Sequence, residues 1–389
     1  MAVAALDPLL SDAGWAYASL PPQEPGDPGR FHALFGRDSL ITALQVLPDA
    51  PEVAVATLRA LAALQGRADD PATDEEPGKI LHEYRPVAEP RFAAAGWPVR
   101  DGELRYYGSA DSTSWFLVVL AALQDDGLAA ELADARRRAG EWLARALDAG
   151  GGFVRYGPRR APGGLAQQGW RDAVAPVERH PHGAGIVHPD GSRPAAPLAD
   201  ADCQAVAVAA LDALARLDPD GDWTARAAAL RRRLADWGAG TLALEADGTR
   251  VLGAGSQLGW LLWAGALDGA AAESAADRLV RPDVRTPYGL RTLSSAAPAF
   301  RSAAYHRGGI WPFDCWIGWG GLRAAGRVTE AEQVRAGVLD ALERIGLAPE
   351  LYAVTAAGGL ESVPVANRVQ AWTVGARWAL EHGWDGRGQ

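Results

Sequence analysis

The sequence predicts an all-α fold, an (α/α)6 toroid of six helix hairpins. Three observations carry this. Apolar residues recur at three- and four-residue spacing in about twelve segments. The connections between them alternate short and long. Mixtures of polar and aromatic residues gather in the long connections or at the start of the helix that follows one.

The periodic segments lie near 4–18, 33–47, 52–65, 112–124, 129–148, 199–217, 222–238, 256–267, 270–280, 309–325, 329–346 and 366–382. Strand-like runs are brief, Phe153–Tyr156 and Thr241–Leu244 at most. Pro48–Pro51, Asp125–Leu128, Asp218–Gly221, Asp268–Gly269 and Gly326–Val328 read as tight turns. The long connections are 66–111, 149–198, 239–255, 281–308 and 347–365. Hairpins joined this way put every short turn at one end of a bundle and every long loop at the other. Six of them in a ring make a toroid. An open α-solenoid would show repeats of similar length and sequence, and none is visible. With no Gly/Ser linker and no step in composition, residues 1–389 read as one catalytic domain without a separate N-terminal β-domain.

A chain of 389 residues that is 48% hydrophobic has ample material for a core. Its net charge is −10, and no dense Lys/Arg block stands out. That argues against nucleic acid or an anionic membrane as partner. The runs Arg136–Arg138 and Arg231–Arg233 fall in helical patterns and read as solvated faces. Two cysteines in apolar contexts fit a reducing compartment. Residues Met1–Tyr17 lack the basic region of a signal peptide, and no apolar run reaches spanning length. A cytoplasmic protein is therefore expected. Fifteen tryptophans are an excess. Tryptophan fills large cores and also stacks on sugar rings. Trp97, Trp170 and Trp311 sit in or beside loops, where stacking competes with core packing.

Chemistry points first to Gln167-Gln168-Gly169-Trp170-Arg171-Asp172, inside a Gly/Pro-rich stretch without helical period. So long a loop is usually functional or disordered. Phe153, Tyr156 and Trp170 argue against disorder, and Asp172 becomes a candidate catalytic acid. An end cavity lined by carboxylates, aromatics, His and Arg suits a neutral polyol, because aromatic faces stack on pyranoses and charged groups bind vicinal hydroxyls. Glycoside hydrolysis needs two carboxyl groups, one to protonate the leaving oxygen and one to activate water or attack carbon. Blander readings stand beside this one. Asp38 and Asp111 each open a helix and could be N-caps. Asp172 could merely pair with Arg171. Asp314 could line the pocket or partner Arg307. His180, His182 and His188 could hold a metal, but a surface loop is the simpler reading. No metal and no organic cofactor is expected.

The ordered set FGRDS, DEEPGKILHEYR, YYGSADST, QGWRD, GLRTLSS with YHRGGIWPFD, PELY and VQAW, over roughly 31–378, resembles the bacterial amylo-α-1,6-glucosidase or glycogen-debranching-related family of (α/α)6-barrel glycoside hydrolases. The resemblance implies inverting, exo-acting hydrolysis of an α-glycoside, an α-glucoside by this likeness. It makes Asp172 the general acid, with its pKa raised by burial beside Trp170. It makes Glu350 the ionised general base, with Glu361 of the same loop as the alternative. Arg37 and Asp38 would grip the terminal sugar. Glu83, Asp111, Trp170, His306, Arg307 and Trp311 would wall the pocket. The implied partner is an oligosaccharide or small glycoside. Two rivals are a same-fold hydrolase for a non-glucose α-glycoside or an α-glucosylated small molecule, and a catalytically silent sugar-binding protein.

Overall fold

The computed structural model describes residues 3–22, 31–157, 160–172 and 185–387. Among these are thirteen α-helices. They are α1 (Gly36–Gln45), α2 (Pro51–Ala63), α3 (Pro90–Ala94), α4 (Ser112–Ala122), α5 (Asp126–Glu131), α6 (Ala133–Ala149), α7 (Ala201–Leu217), α8 (Trp223–Ala235), α9 (Gln257–Trp263), α10 (Gly269–Leu279), α11 (Pro312–Ala324), α12 (Val328–Ile345) and α13 (Ala371–His382).

Six of them pack in a closed cycle: α1 on α4, α4 on α7, α7 on α9, α9 on α11, α11 on α13, and α13 back on α1. Outside it, α2 packs on α1 and α4, α6 on α4, α8 on α7, α10 on α9, and α12 on α11 and α13. The two sets differ as their sequences require. Helix α1 is buried along its whole length, and α11 from Pro312 to Leu322. Enclosed by its neighbours, α1 buries even Arg37, Asp38, Thr42 and Gln45, whereas α6 buries only one stripe, including Ala139, Trp142, Leu143 and Leu147. Glycines allow a close approach within the cycle. A Cβ on Gly259 would stand 2.5 Å from the Gly318 Cα, so α9 and α11 meet backbone to backbone.

The helix-rich expectation holds, and small sheets are added to it. Among the described residues eleven short strands form four small antiparallel sheets on the connections. The largest joins β1 (Leu34–Phe35), β2 (Glu83–Arg85), β4 (Glu103–Tyr106) and β3 (Val99–Arg100) in that order. Phe35 pairs with Glu83, and Glu83 with Tyr106, which ties the entrance of α1 to the first long connection. The others are β5 (Ala199–Asp200) with β6 (Thr241–Leu244) and β7 (Arg250–Leu252), β8 (Arg285–Thr286) with β9 (Gly289–Leu290), and β10 (Tyr352–Val354) with β11 (Leu360–Ser362). Strand β6 is the one expected. The run Phe153–Tyr156 yields only a bridge between Tyr156 and Leu198.

Two helix expectations also change. Segment 4–18 is not α-helical: it holds 3-10 turns at Val3–Ala5 and Asp7–Leu9, then turns extended at Leu10. Pro8 blocks continuation and Gly14 takes φ +88°. Leu6, Leu9 and Ala16 are nevertheless buried, so the periodicity reported burial rather than a helix. Segment 129–148 divides at Leu132 into α5 and α6, and Asp125 caps α5 by accepting from Leu128 N. Of the histidine-bearing stretch, His180 and His182 lie outside the described residues. His188 Nε2 stands 2.7 Å from Glu245 Oε1, within hydrogen-bonding distance. No cluster of His, Cys, Asp or Glu suited to a metal occurs among the described residues. No described helix is long and apolar enough to cross a membrane.

Candidate active site

Helix starts and the loop ends that precede them bring five of the expected residues together: Arg37 and Asp38 on α1, Asp111 before α4, Asp172, and Glu350 before β10. Arg37 is their hub. Its Nη1 donates to Asp111 Oδ1 and Oδ2 at 3.2 and 3.3 Å, its Nη2 donates to Asp172 Oδ2 at 2.9 Å, and its Nε stands 3.8 Å from Asp38 Oδ2. Neither Asp38 nor Asp111 caps its helix with its side chain. The capping reading fails, and both carboxyls face Arg37 instead. Asp38 also accepts from Gln370 Nε2 at 3.4 Å.

The pairing of Asp172 with Arg171 fails too. Arg171 turns inward, where Nε donates to Asp202 Oδ2 at 2.7 Å, Nη1 to Thr292 O at 2.8 Å and Nη2 to Ser256 Oγ at 2.9 Å. Its guanidinium lies over the Trp170 ring at 4.6 Å. The loop is thus pinned one residue before Asp172, whose carboxyl keeps 28% of its side-chain surface open.

Trp170, Trp311 and His306 are almost wholly buried in one aromatic block with Trp260, Phe313 and Trp372. Trp170 stacks parallel on Trp260 at 5.9 Å, and His306 stacks on Trp311 at 5.3 Å. Core packing dominates for these three side chains. Glu83 is buried and pairs with Arg85. Arg307 donates Nη1 to Ala299 O at 3.2 Å, and no ion pair joins it to Asp314, which instead accepts from Trp260 Nε1 at 2.6 Å.

Glu350 and Glu361 are now distinguishable. Glu361 lies exposed on β11, whereas Glu350 is 3% exposed. Both donors to Glu350 converge on Oε2, the Tyr305 hydroxyl and the Asn367 N–H at 3.0 Å. Burial raises Glu350 to about 7 against the pull of these two donors, and the nearby charges of Asp38 and Asp172 add to the rise. Burial likewise lifts Asp172 to about 6 and Asp38 to about 7, with Arg37 opposing in each case. Burial also raises Glu83, where Arg85 opposes and Asp172 adds. His82 and His306 are pushed well below the ordinary histidine value by burial, with Arg37 adding its charge, and stay neutral. The expected raised Asp172 is therefore present. Glu350, expected to stay ionised, is raised by burial as well.

Sequence reasoning passed over Gln370, Tyr305 and Asn367. The first two stand in VQAW and YHRGGIWPFD, so their strings were visible but their partners were not. Asn367 acts through its main chain and leaves no signal in side-chain chemistry.

A family model described as the mannosylglycerate hydrolase MGH1-like glycoside hydrolase domain matches residues 165–363, which is half of the chain and spans both Asp172 and Glu350. The chain belongs to this family. It is a glycoside hydrolase, as expected, and of the six-hairpin type, but the family is not specifically that of the debranching enzymes. Solved structures agree on the fold. A GH63 mannosylglycerate hydrolase from Thermus thermophilus in complex with Tris and D-glycerate is 16% identical, with TM-score 0.70 and 98% of each chain covered. The same enzyme in complex with glucose gives 18%, 0.68 and 98% of each chain. An uncharacterized conserved protein from that organism gives 17%, 0.65, and 97% of this chain against 98% of the other. No curated protein sequence matches.

Proposed function

We propose that this glycoside hydrolase is a single-domain (α/α)6 toroid, residues 1–389, that removes one sugar from the non-reducing end of a small α-glycoside with inversion. The α-mannoside of glycerate heads the substrate class. Support for it comes from the family's description and from the full-length likeness in fold to an enzyme named for that compound. An α-glucoside is the second candidate, and it draws on the resemblance of the motifs. Two free, buried cysteines suit a cytoplasmic setting.

The observation that carries the mechanism is the pair of desolvated carboxyls, Asp172 and Glu350, held by different donors around one charged cluster. Asp172 gives its proton to the glycosidic oxygen as the bond from that oxygen to the anomeric carbon breaks. Glu350 takes a proton from water as the water oxygen bonds to that carbon from the opposite face. The aglycone leaves as the alcohol, and the sugar leaves as the β-hemiacetal. Asp172 ends ionised and Glu350 protonated, and exchange with solvent resets both. Asp38 lies beside Arg37 and Gln370, where its carboxyl takes sugar hydroxyls.

The test is a substrate panel of α-mannosylglycerate, α-glucosylglycerate, α-mannobiose and isomaltose, run with wild type, Asp172→Asn and Glu350→Gln. The reading predicts turnover of a glycerate glycoside and a loss of at least about 100-fold in each variant. Turnover that survives either substitution contradicts the assignment. Sugar binding without turnover by wild type returns the silent-binder alternative.

A further inference from the structure

Arg37 was expected to grip sugar hydroxyls, and the geometry points elsewhere. Its place is set by the main chain. Gly36 N donates to His82 O at 3.0 Å, and a Cβ on Gly36 would lie 2.1 Å from Leu81 O. Only a glycine lets α1 press so closely on the chain leading into β2, and this contact buries Arg37 to 3% exposure. Both terminal nitrogens are committed to carboxylates, Nη1 to Asp111 and Nη2 to Asp172. Asp111 is itself fixed, accepting from Ser109 Oγ at 2.8 Å, and Ser109 Oγ stands 2.7 Å from Ser112 Oγ. A hydroxyl grip needs donors turned to the pocket. This guanidinium turns its donors to the acids.

We propose that Arg37 is a positioning residue for the general acid Asp172 rather than a sugar-binding residue, with Asp111 as its anchor. The inference rests on the reading of Asp172 as the acid and adds how that acid is aimed. Nη2 holds Oδ2, so the proton resides on Oδ1 and Oδ1 is the oxygen presented to the glycosidic bond. When the proton leaves, the new carboxylate already faces a fixed cation, which makes Asp172 the stronger acid at the moment of transfer. The Asp111 carboxylate shares that cation, so Arg37 steadies the ionised acid without holding it ionised throughout.

The test compares leaving groups. Fluoride departs with little help from an acid, whereas glycerate needs a proton. α-Mannosylglycerate and α-mannosyl fluoride are assayed with wild type, Arg37→Gln, Arg37→Lys and Asp172→Asn. Arg37→Gln is expected to lose about 100-fold in kcat on the glycerate glycoside and only a few-fold on the fluoride, with KM little changed; Arg37→Lys recovers part of the loss. Equal losses on both substrates with a raised KM mean a sugar grip and overturn the proposal. If Asp172→Asn loses nothing on the glycerate glycoside, the acid assignment itself has failed, and that outcome is separate from a failure of Arg37. A readout without turnover covers the remaining case. In 13C-carboxyl NMR titrations, with the Asp172 signal identified by its absence from Asp172→Asn, the Asp172 midpoint should rise by about one pH unit or more in Arg37→Gln. An unmoved midpoint overturns the proposal whatever the substrate proves to be.

Discussion

The Asn367 main-chain N–H and the Tyr305 hydroxyl donate to one and the same oxygen, Oε2 of Glu350. Among the described residues Oε1 receives no hydrogen bond, so the two oxygens of this carboxyl differ in kind. Oε2 is the anchor, and on the proposed reading of Glu350 as base Oε1 is the oxygen left to take the proton of water. Tyr305 is steadied in turn by edge contact with Trp311, whose Nε1 donates to Tyr305 O at 2.7 Å.

Removing the phenol therefore has a signed consequence. Tyr305→Phe deletes one of two donors that oppose the desolvation of Glu350, so its pKa rises further. The base must be ionised to act, so the acidic limb of kcat/KM against pH should move to higher pH and kcat at the optimum should fall about tenfold. A pH–rate profile checks this, and an unmoved acidic limb speaks against Glu350 as base.

The wild-type profile should be a narrow bell. Catalysis needs Asp172 protonated and Glu350 ionised, and burial raises both into the same range, about 6 and about 7. The productive protonation state is then confined to a narrow span of pH, and the measured midpoints belong to the pair. A broad plateau from pH 5 to 8 would contradict this electrostatic picture.

Stability should follow pH in the sense set by the same groups. Asp38, Asp172 and Glu350 all have folded-state values raised above ordinary carboxylates. The folded form then binds more protons than the unfolded one between about pH 4 and 7. Their contribution is complete below the ordinary carboxylate value and is lost as pH rises through about 7. Thermal denaturation without ligand should show a lower Tm at pH 8 than at pH 5. Asp38→Asn, which cannot ionise, should flatten the difference. A Tm that rises from pH 5 to 8 would show that these carboxyls are better solvated than their burial indicates.

Gly36→Ala tests the packing that sets the cluster. The added methyl meets the Leu81 carbonyl, which is backbone and cannot swing aside. A loss of about 3 kcal/mol or more is expected, read by chemical denaturation, together with a fall in activity because Arg37 and Asp38 move with the helix. A variant with unchanged stability and activity would mean that α1 and the Leu81–His82 segment shift freely.

Much of the fold was legible because helical period and loop length report burial and hairpin order directly. The helices α1, α2, α4 and α7 to α13 lie where periodicity placed them, and so do the short turns apart from Asp125–Leu128, most of which is the start of α5. The small sheets were not legible. Strands as short as Leu34–Phe35 and Glu83–Arg85 exist only through partners far along the chain, and no local pattern encodes that. The first segment misled because Leu6, Leu9 and Ala16 keep a helical rhythm of burial across a proline and a glycine. In the site, residue types were readable and partners were not. Asp38 and Asp111 at helix starts could be read as sugar contacts or as caps, since only the fold brings Arg37 between them. Trp170 and Trp311 looked like sugar platforms, since only packing shows their faces covered by Trp260 and His306.

The measurement that tests the central claim most directly is early-time proton NMR of the sugar released from α-mannosylglycerate by the wild-type enzyme, before mutarotation. Glu350 activating water opposite a departing group protonated by Asp172 predicts the β-anomer first. The α-anomer appearing first would mean a retaining route and would contradict the assignment of Glu350 as a water-activating base.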